Sequence, residues 1–280
     1  MRRLEISDHS RDNAGLKYVY PVVSRRAGGV SIGINLSPEA SCNFRCVYCQ
    51  VPGLSRGKSA EVDIPQLEAE LGQMLSVICQ GDFFAKRVPV GSQQLKDFAF
   101  SGDGEPTSAP NFGDVVDCVI RVAAKRVETQ PLPLVVITNG TLASQPAVQS
   151  AFKRLGAHKG RIWFKLDAVT RAGFDRINST PLAAEDHLDR LEATARLCPT
   201  WIQRCVFGFE GTASDDEAEY LSVVRTLLAD GVPLRGMLMY SLARPSQQPE
   251  APKLRALSQA ELEVRAEPFR RLGLDVSVHA

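Results

Sequence analysis

The segment VSIGINLSPEASCNFRCVYCQ (30–50) runs from a strand-like pattern into a loop that contains three cysteines. Its first seven residues alternate β-branched and small side chains, which predicts a strand. The loop places Cys42, Cys46 and Cys49 within eight positions, in the spacing C-x3-C-x2-C, whereas the other four cysteines lie singly along the chain. Loops after the carboxyl ends of strands carry the active sites of α/β proteins. The cysteine loop is therefore the first candidate for a functional site.

Strand-like and helix-like patterns alternate along the rest of the chain. Strand patterns occur at 95–100, 133–138, 161–169, 201–209 and 234–242. Helical apolar spacing occurs at 64–78, 112–127, 145–155, 185–197, 215–231 and 258–273. Six alternations predict a parallel sheet with right-handed crossovers. Since six units are too few for a closed eight-stranded barrel, a partial, open barrel and a flat, doubly wound sheet both fit.

Composition and charge exclude some classes of function and restrict the cysteine chemistry. The 280 residues carry a formal net charge of +1, so no long-range field favours a membrane surface or nucleic acid. We find neither an export signal nor a membrane-spanning stretch, so we expect a cytoplasmic protein with no membrane partner. In a reducing compartment, clustered thiols indicate a metal site or catalysis rather than a disulfide framework.

The cysteine spacing favours an iron–sulfur cluster over zinc. A structural zinc site usually takes four ligands from two paired elements, and no second Cys-x2-Cys completes such a set. The nearest downstream histidine, His158, is more than a hundred residues away. Iron–sulfur clusters are held by closely spaced thiolates, and three cysteines would leave one iron of a [4Fe-4S] cluster open to another ligand. A metal-binding module without catalysis is the alternative.

The C-x3-C-x2-C loop after the first strand, with Tyr48 just before its last cysteine, resembles the radical S-adenosylmethionine (SAM) superfamily. The resemblance implies that Cys42, Cys46 and Cys49 form the catalytic centre by binding a [4Fe-4S] cluster, whose open iron is chelated by SAM. An electron from the cluster would cleave SAM to methionine and a 5′-deoxyadenosyl radical, which abstracts hydrogen from a substrate. The implied fold is a partial (β/α)6 TIM-like barrel, in agreement with the six strand–helix units.

A second motif, SGDGEPT (101–107), follows the second predicted strand. It resembles the Gly-Gly-Glu-Pro motif that holds the SAM amino group in the same superfamily. The resemblance implies that Gly102, Asp103, Gly104 and Glu105 bind the cofactor. Asp103 replaces a glycine, but we expect binding to survive because the family uses backbone carbonyls there. Taken alone, a Gly-x-Gly sequence is equally typical of an ordinary turn.

Further polar residues at strand ends extend the predicted SAM site. Asn139 closes the third strand, and Lys165 and Asp167 lie near the end of the fourth, on one face because they are two positions apart. Charges inside a barrel need partners or ligands. We therefore expect these residues, with Tyr48, to contact the ribose or the carboxylate of SAM. A salt-bridged, exposed strand end is the alternative.

Three of the remaining cysteines are expected to be small buried hydrophobic residues: Cys79, Cys118 and Cys198. Because Cys205 has the same strand parity as Gln203, a catalytic thiol facing the barrel interior is an alternative for it. Arg25 and Arg26, with the loop 55–58, add local basic character beside the site. A solvated surface is the default interpretation, and a phosphate-bearing or RNA substrate is the alternative.

Together these features predict an N-terminal arm (1–29) and a radical SAM partial barrel (30–280). The compact, single-cluster sequence resembles the wyosine-synthase-related, tRNA-modifying branch, although it lacks the second cysteine cluster of the wyosine enzymes proper. The resemblance implies an oxidoreductase or transferase with a flavodoxin- or ferredoxin-like electron donor. A tRNA or nucleotide substrate is our first hypothesis. The alternatives are an activase that generates a glycyl radical on a partner protein, and modification of a peptide or small metabolite.

Overall fold

The structure, a computed structural model, describes residues 2–5, 11, 14–79, 81–126, 128–129, 132–210 and 217–280. Its main element is a sheet of eight strands that follow one another in chain order. The strands are β1 (Val19–Ser24), β2 (Gly29–Ile34), β3 (Leu95–Phe100), β4 (Leu134–Thr138), β5 (Gly160–Lys165), β6 (Thr200–Cys205), β7 (Leu234–Tyr240) and β8 (Val276–His279). Strands β2 to β8 are parallel, and β1 pairs with β2 in the antiparallel direction.

Six helices connect the parallel strands and cover the outer face of the sheet. They are α1 (Ile64–Cys79), α2 (Phe112–Ala124), α3 (Pro146–Ala157), α4 (Ala184–Leu197), α5 (Glu217–Ala229) and α6 (Gln259–Arg270). Each has an apolar stripe at helical spacing, as in α1, where Leu67, Leu71 and Leu75 are fully buried. Helix α6 begins with a capping box in which Ser258 and Glu261 satisfy each other's backbone N–H groups. These helices confirm the six predicted strand–helix units.

Shorter elements decorate this framework. A helix at Phe83–Arg87 follows α1, and a 3-10 turn at Pro106–Ser108 follows β3. Two small ladders pair Ser41–Cys42 with Ser55–Arg56 and Phe207–Phe209 with Leu254–Ala256. The predicted strand over 201–209 is therefore two strands, because Phe207–Phe209 leaves the main sheet to pair with Leu254–Ala256.

Part of the segment assigned to the N-terminal arm is the edge strand β1. Pro21 lies within it, and proline is tolerated in an edge strand because its missing N–H is not needed for a second ladder. Val19 and Val23 are buried in the main core. Hairpin pairing with β2 therefore extends the sheet by one strand before the cysteine loop.

The sheet is curled into an open half-barrel, which confirms the predicted partial barrel over the flat sheet. Arg26, in the β1–β2 turn, lies over the rings of Trp163 on β5 and Tyr240 on β7. Neighbouring strands are about 4.8 Å apart, so β2 and β7 would be about 24 Å apart in a flat sheet. The Arg26 side chain, which starts beside β2, can contact β5 and β7 only if the sheet is curled.

Alternate residues of the strands face two different environments. On β2, Val30, Ile32 and Ile34 are fully buried against the helices. The intervening residues face the concave side, which we call the lumen. Among the described residues, no helix is both long enough and apolar enough to cross a membrane.

Candidate active site

One cavity of about 290 Å³ occupies the lumen at the carboxyl ends of the strands. Every predicted site residue except Asp167 lines this cavity. Those that line it are Cys42, Cys46, Tyr48, Cys49, Gly102, Asp103, Gly104, Glu105, Asn139 and Lys165. These residues come from segments up to 123 positions apart (42 to 165), and the parallel sheet brings them together because its strands all end at the same side.

The cysteine loop is fixed at both its backbone and its apolar side chains. Phe44 and Val47 are buried beneath it. The backbone N–H of Val47 donates to the carbonyl of Ile177 at 2.8 Å, and that of Cys49 donates to the carbonyl of Cys46 at 2.9 Å. The loop therefore has a defined conformation that directs all three cysteines toward the lumen.

The Pro-rich segment 245–253 contacts the cysteine loop from its outer side. The Ser246 hydroxyl donates to the carbonyl of Val47 at 2.7 Å, and the backbone N–H of Gln247 donates to the carbonyl of Cys49 at 2.8 Å. Arg45 donates two hydrogen bonds to the carboxylate of Glu250, at 2.8 and 2.9 Å. A bidentate pair of this kind fixes geometry as well as charge, so the segment holds the loop from its outer side.

The three thiols are free and lie in a partly desolvated setting. Burial raises the pKa of Cys42 to about 12 and that of Cys46 to about 11, although the positive charge of Lys165 opposes both shifts. The Asn178 side-chain amide donates to the Cys46 sulfur at 3.3 Å. Hydrogen bonds to sulfur ligands tune the potential of iron–sulfur clusters.

Asp167 joins the cysteine loop to the sheet rather than facing a ligand. Its carboxylate accepts hydrogen bonds from the Tyr48 hydroxyl at 2.6 Å and from the Asn178 amide at 2.9 Å. It also accepts from the backbone N–H of Cys205 at 3.1 Å. The Lys165 ammonium lies 3.6 Å away. With its side chain fully buried, Asp167 acts as the shared acceptor that positions Tyr48 and Asn178.

Lys165 is the cation of this network that lines the cavity. Its ammonium lies 4.5 Å from the centroid of the Tyr48 ring. Burial alone would lower the pKa of Lys165, but the charges of Asp167 and Cys46 raise it well above its ordinary value. The side chain stays charged and can bind a carboxylate in the lumen.

The glycine-rich loop packs directly against the start of the cysteine loop. A Cβ on Gly104 would collide with the Ser41 carbonyl oxygen, and a Cβ on Gly102 would collide with the Asn35 side chain. Only glycine permits this approach. The backbone of the second motif therefore lies beside the start of the cysteine loop.

The Asp103 side chain has a function of its own in the structure. It accepts a hydrogen bond from the Asn35 amide at 2.6 Å and lies 3.4 Å from the guanidinium of Arg11. Arg11 also donates to the carbonyl of Gly102 at 3.2 Å and lies over the Tyr20 ring. The carboxylate that replaces a glycine thus ties the N-terminal segment to the glycine-rich loop.

Glu105 and Asn139 are engaged in bonds that connect the strand ends. The Glu105 carboxylate accepts from the Thr107 backbone at 3.0 Å, the Thr138 hydroxyl at 2.7 Å and the Asn139 backbone at 2.6 Å. The Asn139 amide donates to the Asn43 side chain at 2.7 Å. Both residues therefore align the ends of β3 and β4 with the cysteine loop, and their free hydrogen-bonding capacity toward a ligand is small.

Three residues of the site that the sequence analysis did not single out are Arg11, Asn35 and Glu250. Asn35 directly follows β2, and that position at a strand end was the available signal. Asn178 lies on the π-helical turn Phe174–Asn178, whose approach to Cys46 is a tertiary contact. Cys205 lines the cavity beside Gln203, and burial raises its pKa well above the ordinary value, which favours the protonated thiol.

The residues present fit a cluster with three protein ligands. Within the described ranges, no group of three or more His, Cys, Asp and Glu side chains has ready-made metal-binding geometry. The donor chemistry nevertheless matches, since three unpaired thiols of one loop open into one cavity. Thiolates are the ligands of iron–sulfur clusters, and the adjacent lumen has room and a cation for a further ligand.

Two of the curated proteins similar in sequence to this chain are UPF0026 proteins. No family model matches the chain. A UPF0026 protein of Helicobacter pylori is 29% identical over 159 residues, which are 56% of this chain and 44% of that protein. A UPF0026 protein of Synechocystis is 25% identical over 167 residues, which are 59% of this chain and 54% of that protein. The chain spans about half the length of the curated relatives it matches.

Solved structures of radical SAM enzymes are similar over most of the chain. A radical SAM methyltransferase from Sphaerobacter thermophilus has a TM-score of 0.59 at 12% identity, covering 94% of this chain and 69% of that one. Spore photoproduct lyase has a TM-score of 0.59 at 12% identity, with 93% and 79% covered. The chain has their fold. TYW1 with a lysine–pyruvate adduct also shares it (TM-score 0.56, 15% identity, 89% and 74% covered), so the fold alone does not select the wyosine-related branch.

Proposed function

We propose that the protein is a radical SAM enzyme that binds a [4Fe-4S] cluster through Cys42, Cys46 and Cys49. The observation that carries the proposal is the convergence of three free thiols, the Gly102–Glu105 backbone and the Lys165 ammonium on one cavity. A structural metal site would be closed by a fourth protein ligand, whereas an open position is the mark of a reactive one.

A bound cluster would supply the electron for reductive cleavage of SAM to methionine and a 5′-deoxyadenosyl radical, the species that would take hydrogen from the substrate. The electron comes from an external donor, for which a flavodoxin- or ferredoxin-like protein is our proposal. Lys165 would supply a positive charge for the SAM carboxylate, and the carbonyls of the glycine-rich loop would accept from its amino group. Tyr48 and Asn178, held by Asp167, keep the cysteine loop in position.

For the substrate, we propose a tRNA or a nucleotide. The cavity is lined by the basic residues Arg11, Arg25, Arg26, Lys165 and Arg244. Its acidic residues are fewer: Glu105 is buried in internal bonds, Asp103 is paired with Arg11, and Asp97 is the third. The resulting positive excess favours an anionic substrate such as a phosphate ester.

Anoxic reconstitution with iron and sulfide tests the enzymatic proposal. Reduced wild-type protein with SAM should release 5′-deoxyadenosine, measured by liquid chromatography, and Cys46→Ser should abolish the release. Cys79→Ser, a matched change on α1 outside the cavity, should retain it. An assembled cluster in wild-type protein that yields no 5′-deoxyadenosine would show a binding module rather than an enzyme.

The substrate proposal has a separate test. Nucleosides from the RNA of a deletion strain should lack one modification that the parent strain contains, measured by mass spectrometry. Restoring the wild-type gene should restore that nucleoside, whereas restoring Cys46→Ser should not. An unchanged nucleoside profile would contradict an RNA substrate and leave the radical chemistry to the reconstitution experiment.

A further inference from the structure

The lumen continues past the cysteine and glycine-rich loops along the inner face of the strands. Asp97 lies there on β3, paired in register with Ser31 of β2. It precedes Gly102 by five residues, which is about 16 Å along a strand. Its side chain lines the same cavity, so this deeper wall is continuous with the site proposed for SAM.

Asp97 is a buried carboxylate with incomplete protein bonding. The residue is only 4% exposed, and its Oδ1 atom has no hydrogen-bond partner in the described part of the chain. Ser31 bonds to the carboxylate, and the charges of Arg161 and Arg26 act on it from a distance. Buried polar groups in native proteins are nearly always satisfied, and an exception needs an explanation. An unsatisfied carboxylate that faces a cavity is explained by a ligand that donates to it.

Two further side chains that line the cavity have unused hydrogen-bonding groups. Gln203 on β6 is 2% exposed and lies level with Lys165, its register partner on β5, and its side-chain amide makes no hydrogen bond within the described ranges. The guanidinium of Arg26 lies 5.1 Å from the Trp163 ring centroid and 5.0 Å from that of Tyr240. These rings fix the Arg26 group without using its N–H donors, which remain free to bind an anionic oxygen.

We infer that Asp97, Ser31, Gln203, Trp163 and Arg26 form a substrate-binding site, here called the lumen subsite. Its ligand carries an N–H donor that binds Asp97 and an anionic oxygen that binds Arg26. The identification of this ligand as the second substrate of a radical reaction rests on the proposed function. The prediction that the ligand has an N–H donor and an anionic oxygen rests only on the side chains of the subsite. The ring of Trp163, which lines the same cavity, favours a planar heterocycle over an aliphatic amine as the source of the N–H group.

Three phosphate-bearing probes test this chemistry in the protein without SAM. Cytidine 5′-monophosphate presents a planar N–H group, phosphoethanolamine presents an ammonium group, and ribose 5-phosphate has no nitrogen. Ligand-observed NMR titration measures the dissociation constant of each. The wild-type protein should bind at least one nitrogen probe about tenfold more tightly than ribose 5-phosphate, since a hydrogen bond to a charged group contributes about 1.5–3 kcal/mol. Tighter binding of cytidine 5′-monophosphate than of phosphoethanolamine would show that the N–H donor belongs to a planar heterocycle.

Variants assign the preference to the proposed residues. Asp97→Leu should remove the preference for nitrogen probes, and the isosteric Asp97→Asn should reduce it while keeping the shape of the wall. Arg26→Gln should weaken all three probes alike because it removes the phosphate contact. Asp189→Asn, a change at an exposed position of α4, should leave every constant unchanged.

Two results would overturn the lumen subsite. One is equal or absent binding of all three probes by the wild-type protein. The other is a nitrogen preference that survives in Asp97→Leu or in a correctly folded Asp97→Asn. The 5′-deoxyadenosine assay is independent of both results, because it requires no second substrate. A protein that fails that assay but shows the Asp97-dependent preference retains the subsite and loses the proposed radical chemistry.

Discussion

Phe98 and Asp97 are neighbours on β3, yet they lie in opposite environments. Phe98 is fully buried between the sheet and its helices, in one continuous apolar cluster. Asp97 faces the lumen with an unsatisfied oxygen. The same alternation holds on β5, where Phe164 faces the helices and Lys165 faces the lumen. The alternation of side chains along each strand thus separates a wall that stabilises the fold from a wall whose polar groups can bind ligands.

Burial contributes differently to the free energy of folding on the two walls. The helix-facing residues gain free energy by leaving water, at about 25 cal/mol per Å² of apolar surface. The lumen-facing polar groups lose hydration without full compensation, which costs free energy. Substitutions on the two walls should therefore separate stability from ligand binding.

The largest expected effect on stability is on the helix-facing wall. Phe98→Ala should lower the free energy of unfolding by about 3–5 kcal/mol, because it removes a large ring and leaves a cavity in a close-packed core. Chemical denaturation of the protein measures this change. Val264→Ala, at a position that is 74% exposed, is the control and should have little effect. An equal loss in both variants would contradict the division between the walls.

An intermediate effect is expected in the lumen network. Asp167→Asn should destabilise the protein by about 3 kcal/mol, because it leaves the Lys165 ammonium, on a side chain only 18% exposed, without its counter-charge. It should also lower the iron content after reconstitution, since the amide has one acceptor oxygen and cannot accept from Tyr48, Asn178 and the Cys205 N–H as the carboxylate does. Denaturation and iron analysis measure the two effects.

A double variant separates charge from positioning in that network. Asp167→Asn combined with Lys165→Met should recover part of the lost stability, because no uncompensated charge is left. Its iron content should remain low. If the double variant lost as much free energy of unfolding as the two single variants together, the loss in Asp167→Asn would not come from breaking the Lys165–Asp167 pair.

Much of this organisation was predictable from local sequence. Each predicted parallel strand of the main sheet overlaps an observed one, because buried parallel strands and amphipathic helices have distinct periodicities. The position of the cysteine loop after β2 also followed from order along the chain. Strand β1 was not predicted, because Pro21 and the flanking polar residues obscure its pattern.

The contacts within the site could not be predicted, because they join residues distant in sequence. Asp167 was expected to contact a ligand, and parity gave its face but not its four protein partners. Glu250 clamps Arg45 across 205 positions, and no local pattern marks that pair. Local periodicity specifies elements, whereas the site depends on how their ends meet.

His187 on α4 is an exception on the helix-facing wall, and it gives the smallest expected effect. Its Nε2 bonds to the Lys165 carbonyl at 3.1 Å between the rings of Phe164 and Phe174, and burial lowers its pKa to about 4. The unfolded chain, with a histidine pKa near 6.5, binds the proton more readily, so this residue's contribution is complete above pH 6.5 and is lost as pH falls toward 4. The loss should reach about 2 kcal/mol at pH 4.5.

Denaturation curves between pH 7.5 and 4.5 measure this loss. His187→Gln removes the titrating group and should flatten the fall in stability over that range, even if it is less stable at pH 7.5. His158→Gln, at an exposed histidine, should retain the wild-type slope. If the slope of stability against pH were unchanged in His187→Gln, His187 would take up its proton as readily in the folded protein as in the unfolded chain. Burial would then not lower its pKa.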